Sequence, residues 1–565
     1  MASLENVKAL HEAGLHSSAQ LLASFLLSIN EQASTHDKQD VNNMANKHQL
    51  MVYFADSLFK EEHYRRAVHY YTKALQLRKA ISKNKTKLSS QSGLAPEVDV
   101  KYKAYKCHIS LKEPKEALAM LEGITQRQRT PKVNIALAKL YRHQGMERSA
   151  LSCYKEVLRQ CPFALEAATG LLALGVTSTE VTSLMSRNQT ASGSTTNEWL
   201  ASWIKAHTLT VTNKFAKAAQ SLKTLETQVL RDNVELLCDI AENFYSAGDM
   251  KSSKAVFQRA HSLDPYVIKG MDVYAYLLAQ DSNTKELERL SKNLIQVTQN
   301  KAEPWVAMAH FCNLTNRKPR AVYFAQKAHT IDSHNVQALI LKASLLQALD
   351  KYQEALLHFR EAVKLSPSNF EAVKGLVECY LSAERFRDAM AIAKNALKTL
   401  GTTTRTLTLC ASVITHDPST QEKAKSMLEK ALSLDPGHTE AVCLLAEILG
   451  HKQEYDKAIE LLKKHLINHR TARLHQLLGD FLATTNEYQE ALDQYTKSLS
   501  LNPGNAKAIE GIQNVEKQNS GADMDSDDEV DPLGSHHPEG LGLDEDDPDG
   551  DDSWTSQDLR APLSF

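Results

Sequence analysis

The stretch NEYQEALDQYTKSLSLNP, residues 486–503, decides how the whole chain is read. Ala491, Tyr495 and Ser498 follow a small–x3–aromatic–x2–small spacing, and Pro503 comes five residues later. At 3.6 residues per turn the first three share one helix face. The Pro, which has no N–H to continue the ladder, marks the helix end. Three other segments keep this spacing: Ala355, Phe359, Ala362 and Pro367; Ala150, Tyr154, Val157 and Pro162; Ser253, Phe257, Ala260 and Pro265. Working outward, the first small position recurs as Ala19, Ala67, Ala117, Ala150, Leu184, Ala218, Ser253, Leu287, Ala321, Ala355, Ala389, Ala424, Ala458 and Ala491. From Ala117 onward every step is 33, 34 or 35 residues, a phase that only an internal repeat explains.

Twelve residues upstream of these markers a second small residue recurs: Ala55, Ala138, Ala206, Ala241, Ala275, Ala309, Ala343, Ala446 and Gly479. Two helix backbones approach closely only where both present small side chains. Trp305 takes a matching Trp position, and Tyr141, Phe244 and Tyr380 an aromatic one. The pattern resembles the tetratricopeptide repeat. The expected fold is all-α, a superhelical solenoid of about 14 helix–turn–helix units with a disordered acidic C-terminal tail. One such pair cannot bury its own apolar face, so stability comes from stacking, and stacking produces a long concave groove. The units marked by Leu184 and Leu287 lack both the small residue and the turn Pro and rest mainly on phase.

Polar insertions interrupt the array. NEQASTHDKQDVNNMANK (30–47) and SKNKTKLSSQSGLAPE (82–97) are expected to be mobile loops, and SRNQTASGSTTNE (186–198) is expected to loop out. The chain accordingly divides into an N-terminal helix pair (1–29), a polar loop (30–47), a repeat (48–81), a second loop (82–97), a continuous array (98–515) and an acidic tail (516–565). Residues 521–565 carry 15 Asp/Glu against one Arg, while the remainder has 65 Lys+Arg against 53 Asp+Glu. With seven Leu/Ile/Val/Phe in those 45 residues, the tail has too little apolar surface to offset its conformational entropy. It is read as a solubilising end, as a salt-sensitive contact for a basic surface, or as a phosphorylated segment with Ser526 of MDSDDEV as the candidate site.

Scarce Gly (21) and Pro (15) and 6% aromatics favour helix throughout. No run of 18 uncharged apolar residues occurs and the N-terminus lacks a basic start with an apolar core, so a soluble protein with no membrane partner is expected. The eight cysteines form no CxxC pair and are expected as small buried hydrophobes. No phosphate-cradling GxGxxG or GxxxxGK[ST] is present. His465 and His469, four apart, lack the HExxH glutamate and a third ligand. The run Glu545–Gly550 begins with Glu, is broken by Pro548 and reaches Ser556 where a calcium loop needs its bidentate Glu. No catalytic residue, metal site or cofactor is therefore expected, and no nucleic-acid partner.

Repeat clamps for a chaperone C-terminal carboxylate place Lys at position 5 and Asn at position 9 of helix A. Here Lys374 has the Lys, but Glu378 stands four residues on, and no other unit matches.

Several strings go beyond the generic repeat: RQRTPKVNIALAKLY (127–141), SCYKEVLRQCP (152–162), LRDNVELL (230–237), DPYVIKGMDVYAYLLA (264–279), AEPWV (302–306), TQEKAK (420–425) and LGDFLATTNEYQEALDQY (478–495). With the acidic tail they resemble the subunit-seven family of the anaphase-promoting complex, a ubiquitin ligase of the cell cycle, over nearly the whole chain. The resemblance implies a non-catalytic scaffold or adaptor subunit in cell-cycle ubiquitination, stacked with sister tetratricopeptide subunits. It also implies location in nucleus and cytoplasm, with spindle association in mitosis, and a homodimer through the N-terminal repeats. On helix B of the first pair, Leu21, Leu22, Phe25, Leu26 and Ile29 form the candidate dimer face; burial against the next repeat explains the same residues. The alternative function is a free-standing repeat adaptor for chaperones or other proteins.

Overall fold

The computed structural model describes residues 3–33, 41–83, 94–186, 198–416 and 420–522. Among them are 29 α-helices and one 3-10 turn at Gln126–Gln128. The first pairs are α1–α2 (Leu4–Glu12, His16–Ala33), α3–α4 (Val41–Lys60, Tyr64–Lys83), α5–α6 (Glu97–Ser110, Pro114–Glu122) and α7–α8 (Pro131–His143, Glu147–Gln160). Next come α9–α10 (Leu165–Ala173, Ser178–Ser186), α11–α12 (Glu198–Val211, Phe215–Gln228), α13–α14 (Val234–Ala247, Met250–Leu263) and α15–α16 (Met271–Gln280, Thr284–Val297). They are followed by α17–α18 (Glu303–Leu314, Lys318–Ile331), α19–α20 (Val336–Gln347, Tyr352–Leu365) and α21–α22 (Phe370–Ser382, Phe386–Thr399). The last are α23–α24 (Thr404–Ile414, Gln421–Leu434), α25–α26 (Thr439–His451, Tyr455–Leu466) and α27–α28 (Ala472–Thr484, Tyr488–Leu501), and α29 (Ala506–Ala522) closes the series. The chain up to Ala441 makes one compact unit and the residues from Val442 a second.

Odd-numbered helices up to α27 are helix A of a pair and even-numbered ones helix B. Thirteen of the fourteen markers have no exposed surface, and each of those B helices begins three residues before its marker. The eight upstream alanines are equally buried. Small residues therefore line both sides of each A–B contact, and the large apolar side chains fill the space beside it. Tyr71, Phe257, Phe359 and Tyr495 are almost wholly buried, each burial contributing roughly 1.5–3 kcal/mol.

The exception corrects the sequence register. Leu184 is only partly buried, whereas Val181, three residues from the start of α10, has no exposure. Helix α9 has nine residues against 13 in α7, close to one turn fewer. The turn into α10 comes correspondingly early.

Helix B aromatics also reach forward into the next pair. A Cβ on Gly375 would lie 2.6 Å from Cζ and 3.0 Å from Cδ1 of Phe359, sixteen residues earlier. Gly170 meets Tyr154 in the same way, and Gly511 meets Tyr495. These mid-helix glycines lower helix propensity but let the ring seat against bare backbone.

The polar stretches are more helical than their composition suggests. Helix α2 continues to Ala33 and α3 starts at Val41, and α29 continues to Ala522 past the expected array end at 515. No Pro falls in 30–33, 41–47 or 516–522, and Gln, Glu, Lys, Ala and Met are good helix formers. The remainder of the expected loops (34–40, 84–93, 187–197) and the tail beyond 522, including Ser526, lie outside the described residues.

Candidate functional site

Helix α2 divides the five apolar residues singled out by sequence. Leu22 and Leu26 pack, partly buried, on a cluster containing Ala23, Leu27, Phe54 and Tyr71. Leu21, Phe25 and Ile29 point the other way and are 61%, 62% and 59% exposed. Their i, i+4, i+8 spacing makes one stripe, and α2 carries no Asp, Glu, Lys or Arg between His16 and Asn30. The stripe is thus an exposed apolar surface without a charged residue in it. The next B helix has the opposite character: Arg65, Arg66, His69, Lys73 and Lys79 are exposed on α4, and no acidic residue occurs between Glu62 and Glu97.

Between α13 and α23 the chain makes side-chain contacts that reach across more than one pair. Asp272 on α15 accepts hydrogen bonds from Asn335 Nδ2 (3.0 Å) and from the Val273 amide (2.9 Å). Gln337 Nε2, on α19, donates to the hydroxyl of Tyr245 on α13 at 3.1 Å, across 92 residues. Burial raises the Asp272 carboxyl and pushes Glu242 up to about 7, with Asp239 adding to the rise. Burial also pushes His310 down to about 4. Lys269 pairs with Asp239 at 2.6 Å. Arg405 pairs with Glu371 and lies over the Phe370 ring, 3.9 Å from its centroid.

More distant pairs touch as well. Lys112 donates to the Thr330 carbonyl at 2.9 Å, and the rings of His143 and His334 are 4.1 Å apart. Lys112 belongs to the third pair and Thr330 to the ninth, so successive superhelical turns meet after six pairs. Two openings lie within the unit up to Ala441. A cavity of about 710 Å³ is bordered by Lys214, Phe370, Lys374, Arg405, His438 and Glu440. A second, about 660 Å³, is bordered by Trp199, Trp203, Leu230, Glu235 and Lys269. Within the unit that starts at Val442, a groove of about 420 Å³ lies among Glu447, Arg473, Gln476, Asp480 and Lys507.

Lys374, the one residue matching part of the carboxylate clamp, is paired with Glu440 at 3.1 Å and with Glu378 at 3.8 Å. Helix α26 stops at Leu466, so His469 stands beyond its end and not on the same helix as His465; the two rings stack at 4.9 Å. Seven of the eight cysteines are buried and Cys161 is exposed. Among the described residues, one group brings three metal-ligating side chains together: His329, His358 and Glu361, which the sequence reading did not single out. Their separation of 29 residues, across two helices, gives no motif.

Sequence profiles of the tetratricopeptide repeat match residues 346–412, 422–480 and 472–505. Over 99% of its length, and 98% of the relative's, the chain is 43% identical to anaphase-promoting complex subunit 7 of Homo sapiens. The chain belongs to the anaphase-promoting complex subunit 7 family. The Arabidopsis thaliana subunit 7 is 30% identical over 93% of this chain and 96% of its own. Anaphase-promoting complex subunit 3 of Schizosaccharomyces pombe is 24% identical over 50% of this chain and 42% of that protein. A solved structure, described as the APC/C hetero-tetramer Cut9–Hcn1, covers 90% of this chain and 95% of its own with a TM-score of 0.57 at 16% identity. That likeness shows the helical-repeat fold.

Proposed function

We propose that this chain is a non-catalytic scaffold of the anaphase-promoting complex. It holds sister tetratricopeptide subunits in place while other subunits carry out ubiquitin transfer. The end-to-end 43% identity to the human subunit 7 carries this reading. The architecture supports it: the described residues up to Leu501 are accounted for by fourteen stacked helix pairs and their turns, which leaves no separate catalytic fold among them. Purification of the tagged chain from its own cells tests the proposal. Recovery of a cullin–ring ligase with sister repeat subunits supports it; recovery of chaperones alone favours the free-standing adaptor and overturns it. Imaging the same tagged chain tests the accompanying proposal of nuclear and cytoplasmic location with spindle association in mitosis.

The homodimer belongs to the same proposal. Its support is the outward stripe of Leu21, Phe25 and Ile29, an apolar surface that a second copy of α2 would cover by two-fold symmetry. Light scattering of the full chain is expected to give a dimer at micromolar concentration, and the triple variant Leu21→Ser, Phe25→Ser, Ile29→Ser a folded monomer. A monomeric wild type, or a dimeric triple variant, removes this part.

A further inference from the structure

We propose that His329, His358 and Glu361 form a binding site for a zinc-class divalent cation that ties two successive repeats together on their B helices. His329 is on α18, and His358 and Glu361 are on α20, spaced i, i+3 so that both face the same side. One ligand atom from each lies within 4.8 Å of the other two. The imidazole rings are 5.6 Å apart at 68°, and His358 Nδ1 is 3.9 Å from Glu361 Oε2.

The second observation is polar satisfaction. Nδ1 of His329 and Nδ1 of His358 are both buried without a hydrogen-bond partner. A buried unpartnered nitrogen costs roughly 1–3 kcal/mol, and each of the two histidines in this group carries one. Other histidines have a buried unpartnered nitrogen, among them His48, His261 and His310. Among the described residues, this pair is the one grouped with a third ligand.

The donor set selects the ion. Two imidazoles and a carboxylate, with a fourth position left to solvent, suit Zn²⁺ and its borderline neighbours, whereas Mg²⁺ and Ca²⁺ take oxygen ligands. Tetrahedral bonds of about 2.0–2.1 Å set ligand atoms about 3.3 Å apart, so atoms up to 4.8 Å apart would draw together on binding. Lys342, on the intervening α19, opposes a cation, although burial pushes its own ammonium down. Asp332 and Glu354 face the pair with the opposite sign, and His334 adds to the positive side. The site is therefore open and moderate in affinity, not a closed structural knuckle. Its occupation would fix the angle between the two repeats.

The test uses the full chain, stripped with a chelator and titrated with Co²⁺ followed by visible absorption, then with Zn²⁺ by calorimetry. One Co²⁺ per chain with tetrahedral-type bands, displaced by Zn²⁺ and not by Mg²⁺, is expected. His329→Gln and His358→Gln should each weaken binding by roughly tenfold or more, Lys342→Met should tighten it, and His465→Gln should leave it unchanged. Circular dichroism checks that each variant folds, and because the two histidines lie on different helices, one misfolded variant leaves the other to decide. Binding that neither histidine variant alters, or no uptake at submillimolar metal, overturns the proposal.

Discussion

Replacing Gly375 by Ala exposes the logic of the stack. In an open helix the change is favourable by about 1 kcal/mol. In α21 the new methyl would stand 2.6 Å from Cζ and 3.0 Å from Cδ1 of Phe359, closer than carbon atoms approach without a shift. Phe359 has no exposed surface and no open side to move into. Overpacking of this kind costs about 1–3 kcal/mol and is the larger effect. The expected net is a loss of about 1–2 kcal/mol, localised to α20–α22. A global melt would dilute such a change, since repeat arrays need not unfold in one step. Hydrogen exchange of the peptide covering 370–382 reads it directly, with about tenfold faster exchange for each 1.4 kcal/mol. Two controls sharpen the result. Gly123→Ala, where φ is −62° and the nearest atom is the flexible Lys101 Nζ at 3.4 Å, should be neutral or stabilising. In a Phe359→Leu background, Gly375→Ala should recover its helix gain, giving a coupling of about 1–3 kcal/mol. If Gly375→Ala slows exchange in 370–382, or if Phe359→Leu leaves its effect unchanged, the close-approach reasoning is wrong.

Val181→Asp should destabilise the α9–α10 region by more than about 3 kcal/mol, a charge in a closed core, while Leu184→Asp should be tolerated far better; exchange in 178–186 separates them. Glu242, raised to about 7 by burial, binds its proton more tightly folded than unfolded, where its ordinary value is 4.5. Its contribution to stability is present below pH 4.5 and is lost as pH rises towards 7, so Glu242→Gln should flatten that fall in urea titrations across the window. Glu384 turns between α21 and α22 at φ 57°, a strained conformation for a side-chain-bearing residue. Glu384→Gly should stabilise by about 1 kcal/mol, read as an upward shift of the local unfolding midpoint.

What the sequence made legible was whatever depends on one pair and its neighbour. The alanine spine, the aromatic seats and the turn residues recur because each helix pair solves the same packing problem. The left-handed turn position five residues before the marker is only partly legible: Gly14, Gly145, Asn213, Asn316, Asp350 and Asn486 suit it, whereas Glu62, Lys112, Ser282, Glu384 and Gln453 give no signal. Where a unit departs from the pattern, interpolation fails: the phase through Leu184 assumed a helix A of ordinary length, and α9 is shorter. Composition misled at 30–33 and 41–47, because polar residues without Pro are still good helix formers. Contacts between residues 92 or 218 positions apart depend on superhelical pitch, which no local pattern encodes. The His329–His358 meeting is hidden for a related reason. The two stand at different offsets from their markers, Ala321 and Ala355, and meet only because α18 and α20 both pack on α19.

The cross-pair bonds between α13 and α23 change what kind of mechanical object this stretch is. An array whose units touch only their neighbours behaves as a one-dimensional spring, in which a unit can be inserted or removed with local consequences. Between α13 and α23 that freedom is gone. The bond from Gln337 to Tyr245 spans three pairs, and Asp272 with Asn335 spans two. Deleting one intervening pair would rotate each partner away from the other and strand buried polar groups on both sides. This stretch is a strut: a load applied at one pair is carried by several, and its length is set by cross-bracing as well as by repeat number.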